Sequence, residues 1–386
     1  MLGFGLAGIP HQTSRMNNLI SRRLKQARDQ RGLTQAQLSE RLGFKDRQTV
    51  AAIEAGQRKL SADELVRAMQ VLGVDLDFFT DSFRLVGEGA FSWRADERAT
   101  TEQLGKFEER AGRWIATYRR LGEDQGVKTP ILQPRLALTE RSSFEDAMAA
   151  GDKLGADWQL GDQPALKLES AIRERLGALV LYVDAPAGIS GSACQAPGLN
   201  AILINRKELE GRRHFDLAHE CFHLLTWEQM QPEYREPIEG DYRGKGRHKR
   251  IEQLADNFAA ALLIPERALL PFWQARGKQD IHSWLNRSAT AFLVSAKALK
   301  WRLINLGWLS KPEQSEIDDA KLTANGRPKK DQASPKLFGA DFVSRLHTAL
   351  SKGDLSVRRA ASLLALTIED LAELFRDHGL SVPFDL

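Results

Sequence analysis

Apolar residues recur at helical spacing through the first part of the chain, and most of these stretches end at a glycine. Residues 19–31 carry apolar side chains at helical intervals, and Gly32 follows them. Two later stretches open with the spacing of a capping box, in which side chains pair with the free amides of a first helical turn. These pairs are Thr34 with Gln37 and Ser61 with Glu64. Short helices joined by glycine turns predict an all-α helix-turn-helix domain over residues 17–82, preceded by a mobile arm over residues 1–16.

The middle of the chain mixes the helical period with short apolar and β-branched runs. Helical spacing predicts helices over residues 102–121, 142–154 and 166–176. Strands are predicted over residues 178–183, 188–194 and 200–205. A helix, a small sheet and then another helix form the element order of an α+β domain.

Length and composition place the chain among globular proteins. It has 386 residues, of which 42% are apolar, which is enough for two or three domains with their own cores. Its two cysteines, Cys194 and Cys221, favour a reducing compartment over a disulfide framework. The first ten residues lack the basic start of a signal peptide, and no apolar run reaches the roughly 18 residues that span a bilayer. We therefore expect a cytoplasmic protein without a membrane partner.

The net charge of +4 is small, but the charge is unevenly distributed. Between Asn17 and Leu60 there are ten Lys and Arg residues against four Asp and Glu residues, a local charge of +6. A basic patch on a helix-turn-helix domain is typical of contact with the phosphates of double-stranded DNA. A helical protein-interaction module with a solvated basic face is the alternative.

One predicted helix carries the pattern His219-Glu220-x-x-His223. Histidines four residues apart lie about 40° from each other around a helix axis, so both can bind one metal ion. Glu220 lies beside them and can take a proton from a water molecule at the metal without binding the metal itself. The pattern therefore predicts a metal centre with hydrolytic chemistry.

Two histidines rarely suffice for a catalytic metal, which normally has three protein ligands and one position for water. The best candidate for the third ligand is Glu252, on a second predicted helix that Pro265 ends. Asp256 lies four residues further on, on the same helix face, and can accept a hydrogen bond from a ligand histidine. Apolar residues on this helix would hold it against the first.

Three N-terminal stretches resemble the Xre/Cro-repressor type of helix-turn-helix domain, namely residues 23–28, 32–38 and 53–58. The DNA-contacting residues that this resemblance implies are Gln35, Arg47, Gln48, Thr49, Arg58 and Lys59. Arginine and glutamine suit bidentate contacts with base edges. The segment from Gly43 to Glu54 is one residue longer than is usual in this family, which leaves the register of the base-reading residues open by one position.

Two other stretches look like the ImmA/IrrE family of zinc metallopeptidases: residues 218–225, which contain both histidines, and residues 252–265. The resemblance spans about residues 165–308. It implies a gluzincin-type centre with His219, His223 and Glu252 as ligands of Zn²⁺, or of Mn²⁺, and with Glu220 as general base. Domains of this family are often paired with Xre-type regulators or fused to them.

These features together predict an α+β multidomain protein. It would have an all-α helix-turn-helix domain, an α+β zincin-like (gluzincin-type) metallopeptidase domain with a small sheet, and a small all-α C-terminal domain. The predicted divisions after the first domain are a helical connector at 83–128, the metallopeptidase domain at 129–310, a linker at 311–336 and a helical, helix-turn-helix-like domain at 337–386.

The family resemblance implies a DNA-binding transcriptional regulator that acts as a homodimer on a double-stranded operator. Its zinc-dependent endopeptidase would cleave a repressor, an antitoxin or the chain itself after a stress-related or phage-related signal. The alternative is a transcription repressor or antitoxin in which the metal site is structural or sensory and cleaves nothing.

Overall fold

The computed structural model describes residues 10–85, 87–127, 135–236, 246–323 and 334–385, with side chains from residue 19 onward. The described residues fall into two compact units. One unit comprises the described residues up to Gly89 together with Ala111–Arg120, and the other comprises Ala90–Arg110 and the described residues from Leu121 onward. Among these residues, no helix combines the length and apolarity needed to cross a bilayer.

The N-terminal unit is helical, as predicted. Its first five helices are α1 (Pro10–Gln30), α2 (Gln35–Leu42), α3 (Arg47–Glu54), α4 (Ala62–Leu72) and α5 (Leu76–Thr80). Both predicted capping boxes form, and left-handed glycines end α2 and α4. Helix α1 begins at Pro10, so residues 10–16 of the predicted arm are helical. Residues 1–9 of that predicted arm lie outside the described residues.

Two buried arginines hold the N-terminal helices around their apolar core. The Arg28 guanidinium donates two hydrogen bonds to the Glu54 carboxylate of α3, with N–O distances of 2.7 and 3.1 Å. It also donates to the Leu33 carbonyl at 2.8 Å. Arg23 donates to the carbonyls of Phe78 and Arg84, both at 2.7 Å, which ties the chain after α5 to α1. Burial lowers the pKa of Arg23 to about 10, so it remains charged at neutral pH.

A five-stranded sheet forms the centre of the second unit, in the order β2-β4-β3-β1-β5. The strands are β1 (Ala90–Ala95), β2 (Leu179–Val183), β3 (Ile189–Ala196), β4 (Leu199–Asn205) and β5 (Arg235–Glu236). β3 pairs antiparallel with both β1 and β4, while β2 runs parallel to β4 and β5 runs parallel to β1. The three strands predicted from apolar runs are therefore present.

The first strand of the sheet lies where the sequence predicted a helical connector over 83–128. In β1, Phe91 and Trp93 alternate with Ser92 and Arg94, a pattern that suits a strand, but all of Ser92, Trp93 and Arg94 are buried. Because Ser92 and Arg94 are polar, the sequence does not reveal that the strand is buried on both faces. Most of the rest of this segment forms the long helix α6 (Thr101–Asp124).

Helices cover the sheet and position the residues with candidate chemistry. They are α7 (Phe144–Asp157), α8 (Leu168–Leu176), α9 (Glu210–Thr226), α10 (Arg247–Leu263), α11 (Glu266–Gln274), α12 (Ile281–Phe292) and α13 (Ala296–Asn305). α9 packs on β3 and β4, and α10 packs on both α9 and α7. Buried apolar residues such as Phe222 of α9 and Phe258 of α10, with ring centroids 5.3 Å apart, fill the space between these helices.

The predicted linker over 311–336 is partly folded onto this unit. It contains α14 (Lys311–Glu316), and Ile317 is buried in the same apolar core as α10. The Lys300 ammonium of α13 pairs with Asp319, and Thr323 donates its backbone N–H to the Asn286 side chain at 2.8 Å. The polar composition of residues 311–323 does not reveal these contacts in the sequence. Residues 324–333 of the predicted linker lie outside the described residues.

The C-terminal helices α15 (Ala340–Lys352), α16 (Val357–Leu364) and α17 (Ile368–Asp377) belong to the same unit as the sheet. The Phe338 N–H donates to the Tyr182 carbonyl of the edge strand β2 at 2.7 Å. Arg173 of α8 pairs with Asp341 at 3.2 Å. The three helices confirm the predicted all-α character of this region.

We expect Gly151→Ala to destabilise the second unit, because α7 and α10 approach closely at this glycine. A Cβ at position 151 would lie 2.5 Å from the Phe258 carbonyl oxygen and 3.0 Å from the Leu262 nitrogen. Overpacking of this kind costs about 1–3 kcal/mol, which exceeds the roughly 1 kcal/mol gained in helix propensity. Thermal unfolding should show a midpoint lowered by several degrees.

Gly105→Ala is the matched control, since it makes the same change within a helix at a position with nothing within 4 Å. It should leave the midpoint unchanged or raise it. Equal midpoints for the two variants would contradict the tight packing of α7 on α10.

Candidate metal centre

Helix α9 brings the two histidines of the predicted centre together inside the protein. His219 and His223 are one turn apart, both are buried, and their Nε2 atoms lie 3.0 Å from each other. Cys221 and Phe222, between them in sequence, are buried in the apolar core. The helix therefore presents the histidines on one face because its other face is apolar and packed.

Helix α10 adds the carboxylate that the sequence predicted. The Glu252 carboxylate lies with Oε2 at 3.2 Å from His219 Nε2 and Oε1 at 3.7 Å from His223 Nε2. Glu252 is 4% exposed, so bulk water does not screen this contact. The two helices pack so that the three predicted ligands converge.

A fourth donor, Glu236 of β5, was missed by sequence reasoning. Its Oε2 atom lies 3.6 Å from His219 Nε2 and 3.4 Å from His223 Nε2. Glu236 is 1% exposed. The only sequence signal is an acidic residue between the two site helices, and many acidic residues lie there. Its position depends on the pairing of a two-residue strand with β1, which local patterns do not predict.

These four side chains have the geometry of a metal site. One ligand atom from each of His219, His223, Glu236 and Glu252 lies within 4.8 Å of the others. The measured N–N and N–O separations run from 3.0 to 3.7 Å. Ligands at about 2.0–2.1 Å from a tetrahedral zinc ion would be about 3.3–3.4 Å apart. Imidazole and carboxylate are ligands that zinc accepts, so the donor set fits a divalent ion.

Asp256 orients His219, as the sequence predicted it could. Its Oδ1 atom lies 2.9 Å from His219 Nδ1, so the Nδ1–H tautomer donates to Asp256 and leaves Nε2 free to face the other donors. Arg94 of β1 lies 3.6 Å from Asp256 and 3.2 Å from Asp216 of α9. This arginine neutralises carboxylates of both site helices, and sequence reasoning missed it because it comes from a remote strand.

Glu220 is fully buried between the histidine helix and the sheet. Gly191 of β3 lies next to it, since a Cβ there would be in van der Waals contact, at 3.6 Å, with Glu220 Oε1. Neither carboxylate oxygen of Glu220 has a hydrogen-bond partner among the described residues. Burial, and then the negative charge of Glu236, raise the pKa of Glu220 to about 8. A nearby divalent cation would act in the opposite direction and favour the carboxylate.

The cluster is short of positive charge without a cation. Burial lowers the pKa of His219, but its contacts with Asp256, Glu236 and Glu252 outweigh burial and raise that pKa well above its ordinary value. Burial likewise raises the pKa of Glu236, but the two imidazoles hold it well below the usual range. The imidazoles and the Glu236 carboxylate thus favour each other's charged forms, and a divalent ion can supply that positive charge instead.

The predicted DNA-contacting residues lie on the helix-turn-helix unit. Some of their side chains are exposed, and others are hydrogen-bonded within the unit. Arg47 and Gln48 are exposed at the start of α3. The Thr49 N–H donates to Asp46, which caps α3, at 3.0 Å. The Gln35 side chain donates to Glu54 at 2.8 Å, so it is engaged within the unit. Arg47 and Gln48 are therefore placed to reach a ligand without breaking contacts that the structure shows.

The last two candidates follow α3. Arg58 is exposed but pairs with Glu64 of α4 at 2.7 Å, and its guanidinium lies 5.4 Å from the centre of the Phe44 ring. Lys59 is exposed. Arg58 thus braces the helix-turn-helix unit as well as adding to its basic surface.

Comparison with protein families agrees with both parts of this description. Residues 24–79 match the family model described as a helix-turn-helix, and residues 173–303 match the peptidase-family model described as an IrrE N-terminal-like domain. Searches of curated proteins and of solved structures gave no match. The second match contains the histidine pair together with Glu236, Glu252 and Asp256.

The chain therefore carries an Xre-type helix-turn-helix DNA-binding domain followed by a mixed α+β domain of peptidase-family type. It is a fusion of an Xre-type domain with an ImmA/IrrE-like domain, as the sequence resemblance implied.

We expect Asp256→Asn to weaken the binding of a divalent ion, because the variant loses the negative charge that orients and polarises His219. Removal of such a supporting carboxylate typically lowers metal affinity by about 10–100-fold. Competition with a chromophoric chelator, using Zn²⁺ added to apoprotein, would measure the change. Asp157→Asn, which makes the same change at a side chain 55% exposed on α7, should leave the affinity unaltered. Equal affinities in both variants would contradict the assigned role of Asp256.

Proposed function

We propose that this protein is a DNA-binding regulator whose second domain is a zinc-dependent endopeptidase acting on a regulatory protein. The observation that carries the proposal is the convergence of His219, His223 and Glu252 from two packed helices, with the buried carboxylate of Glu220 beside them. A buried glutamate whose two oxygens have no protein hydrogen-bond partner is costly to keep unless it has a chemical role.

In the proposed reaction a divalent ion held by these ligands would polarise the scissile carbonyl and acidify a water molecule. Glu220 takes a proton from the attacking water as the new C–O bond forms at the carbonyl carbon. It then delivers that proton to the amide nitrogen as the C–N bond breaks. Asp256 keeps Nε2 of His219 directed at the site throughout, and Arg94 pairs with Asp256 at 3.6 Å.

The helix-turn-helix domain supports a regulatory substrate. Exposed Arg47 and Gln48 begin α3, where the resemblance places the recognition helix, and the surrounding segment is basic. Binding of a double-stranded operator, as a homodimer, would place the endopeptidase near DNA-bound proteins. A repressor, an antitoxin or a second copy of this chain is the substrate class that we propose, with cleavage following a stress-related or phage-related signal in the cytoplasm.

A second function is favoured by one observation, the presence of Glu236 among the donors. Four protein donors are typical of a structural metal site, whereas catalytic sites keep one position open. In this alternative the protein is a repressor or antitoxin whose metal site is structural or sensory. It predicts DNA binding that responds to metal, and no cleavage of any protein.

We expect Glu220→Gln to retain its metal and to lose proteolysis by at least about 100-fold, the low end of what general acid–base catalysis contributes. The amide keeps the shape of the side chain but cannot accept the proton. Elemental analysis would measure the metal. Mass spectrometry of repressors and antitoxins encoded near the gene, incubated with Zn²⁺-loaded protein, would detect cut sites.

The matched control is Glu228→Gln, which makes the same change just beyond α9 at a side chain 46% exposed. It should cleave like the parent protein. A fully active Glu220→Gln protein would rule out the proposed mechanism, whereas absence of cleavage by every form, with metal bound, would favour the structural or sensory alternative.

We also expect Arg47→Ala to weaken DNA binding and to reduce the slope of log affinity against log salt concentration by about 1, as loss of one phosphate contact does. Gln48→Ala should instead reduce discrimination between the bound sequence and random DNA. Fluorescence anisotropy with DNA from upstream of the gene would measure both. Arg267→Ala removes another exposed charge, far along the chain on α11, and should change neither quantity.

A further inference from the structure

We propose that Glu236 is a fourth protein ligand, which closes the metal centre and must leave it before a substrate can bind. The inference rests on the proposed function, since it assumes that the centre binds a divalent ion. It assigns a regulatory role to a residue that the three-ligand description of the site does not use.

The position of the Glu236 carboxylate is that of a ligand. Its Oε2 atom lies between both histidines, at 3.4 and 3.6 Å from their Nε2 atoms, distances close to those of the Glu252 carboxylate at 3.2 and 3.7 Å. Oε2 is buried and has no hydrogen-bond partner among the described residues. A buried carboxylate oxygen aimed at two imidazoles is a donor prepared for a cation.

The other carboxylate oxygen is held by the sheet. Ser92 of β1 is fully buried and its hydroxyl donates to Glu236 Oε1. The same hydroxyl lies 2.6 Å from the Glu233 carbonyl, three residues earlier in the chain. Ser92 therefore fixes which oxygen of Glu236 faces the histidines, in the way that hydrogen bonds outside a metal site orient its ligands.

Glu236 is the ligand that can move, because its element is held far less firmly than the other two. α9 and α10 are locked by a shared apolar core, whereas β5 has two residues and, within the part of the chain that the structure describes, pairs only with β1. Its anchors are hydrogen bonds: the Trp93 N–H donates to the Tyr234 carbonyl at 2.9 Å, Ser92 contacts Glu236, and the Arg235 guanidinium donates to the carbonyls of Ala95, Asp96 and Ala99. A few hydrogen bonds are much easier to break than a packed core.

With Glu236 bound, the centre has four protein ligands and no position for a substrate carbonyl. If β5 moved far enough to take the Glu236 carboxylate out of the centre, the three protein ligands that catalysis requires would remain. The same centre could thus exist in a latent form with four protein ligands and in an active form with three. The movement of Glu236 is then the step on which a signal would act.

Cobalt substitution tests this inference without relying on proteolysis. Co²⁺ added to apoprotein reports coordination number through its visible absorption, which is strongest for tetrahedral sites. Acetohydroxamate, a small chelator, can bind only where a position is open. We expect the parent protein to give a tetrahedral spectrum that acetohydroxamate leaves unchanged. In Glu236→Ala the chelator should alter the spectrum, and Co²⁺ affinity should fall by at least about tenfold, as loss of a group that supports metal binding typically causes.

Glu233→Ala is the matched control, since it removes a carboxylate that is 50% exposed three residues away. It should behave like the parent protein. Ser92→Ala keeps the Glu236 carboxylate but removes the hydroxyl that orients it, so it should show an intermediate response to acetohydroxamate. This variant keeps the test decisive if Glu236→Ala does not fold, and the parent spectrum needs no variant at all.

The outcomes distinguish a failure of this inference from a failure of the proposed function. A parent protein that binds Co²⁺ but responds to acetohydroxamate as fully as Glu236→Ala, with equal affinity, overturns the role of Glu236 and leaves the proposed peptidase intact. A parent protein that binds neither Co²⁺ nor Zn²⁺ overturns both. Faster substrate cleavage by Glu236→Ala than by the parent protein would support a latent centre.

Discussion

The packing of α10 against α9 is the contact on which the candidate centre depends. Each helix alone carries incomplete chemistry, with two histidines on one and two carboxylates on the other. Interlocked apolar residues, such as Phe222 with Phe258, set the distance and rotation of these two helices, and the close approach of α7 at Gly151 holds α10 from its other side. Glu252 and Asp256 reach opposite nitrogens of His219 because they are one turn apart on a helix held in this position. The energy comes from apolar burial, and the polar groups receive their geometry from it.

Buried charge imposes a second constraint, which the sheet satisfies. The centre gathers several carboxylates where water cannot reach them, and each needs a positive partner. Arg94 of β1 forms ion pairs with Asp256 and Asp216, and Ser92 of the same strand donates a hydrogen bond to Glu236. One strand therefore supplies both a counter-charge and an orienting hydroxyl. Glu220 has no comparable partner among the described residues, and a divalent ion would meet that need.

The donor set bears on the choice between peptidase and sensor. Three ligands with a buried glutamate beside them suit hydrolysis, and four ligands suit a structural or sensory ion. These possibilities exclude each other only if Glu236 is immobile. A ligand on a two-residue strand, held by hydrogen bonds, lets one protein use both arrangements. If the second domain is the proposed endopeptidase, fusion to a DNA-binding domain would make such control valuable, because a centre that is always open would cleave the proposed substrate without a signal.

The sequence by itself determined the local structure and the core of the chemistry. Capping boxes at Thr34 and Ser61 and the helical spacing of the histidines depend on residues three or four apart, so the pattern was sufficient to predict them. It also placed Glu252 and Asp256 on one face of one helix. Only the tertiary structure decided that Glu236 and Arg94 join the site, that β1 belongs to the sheet, and that part of the predicted linker packs on the core. Those contacts join residues distant in the chain, and their polar side chains carry no period that reveals burial.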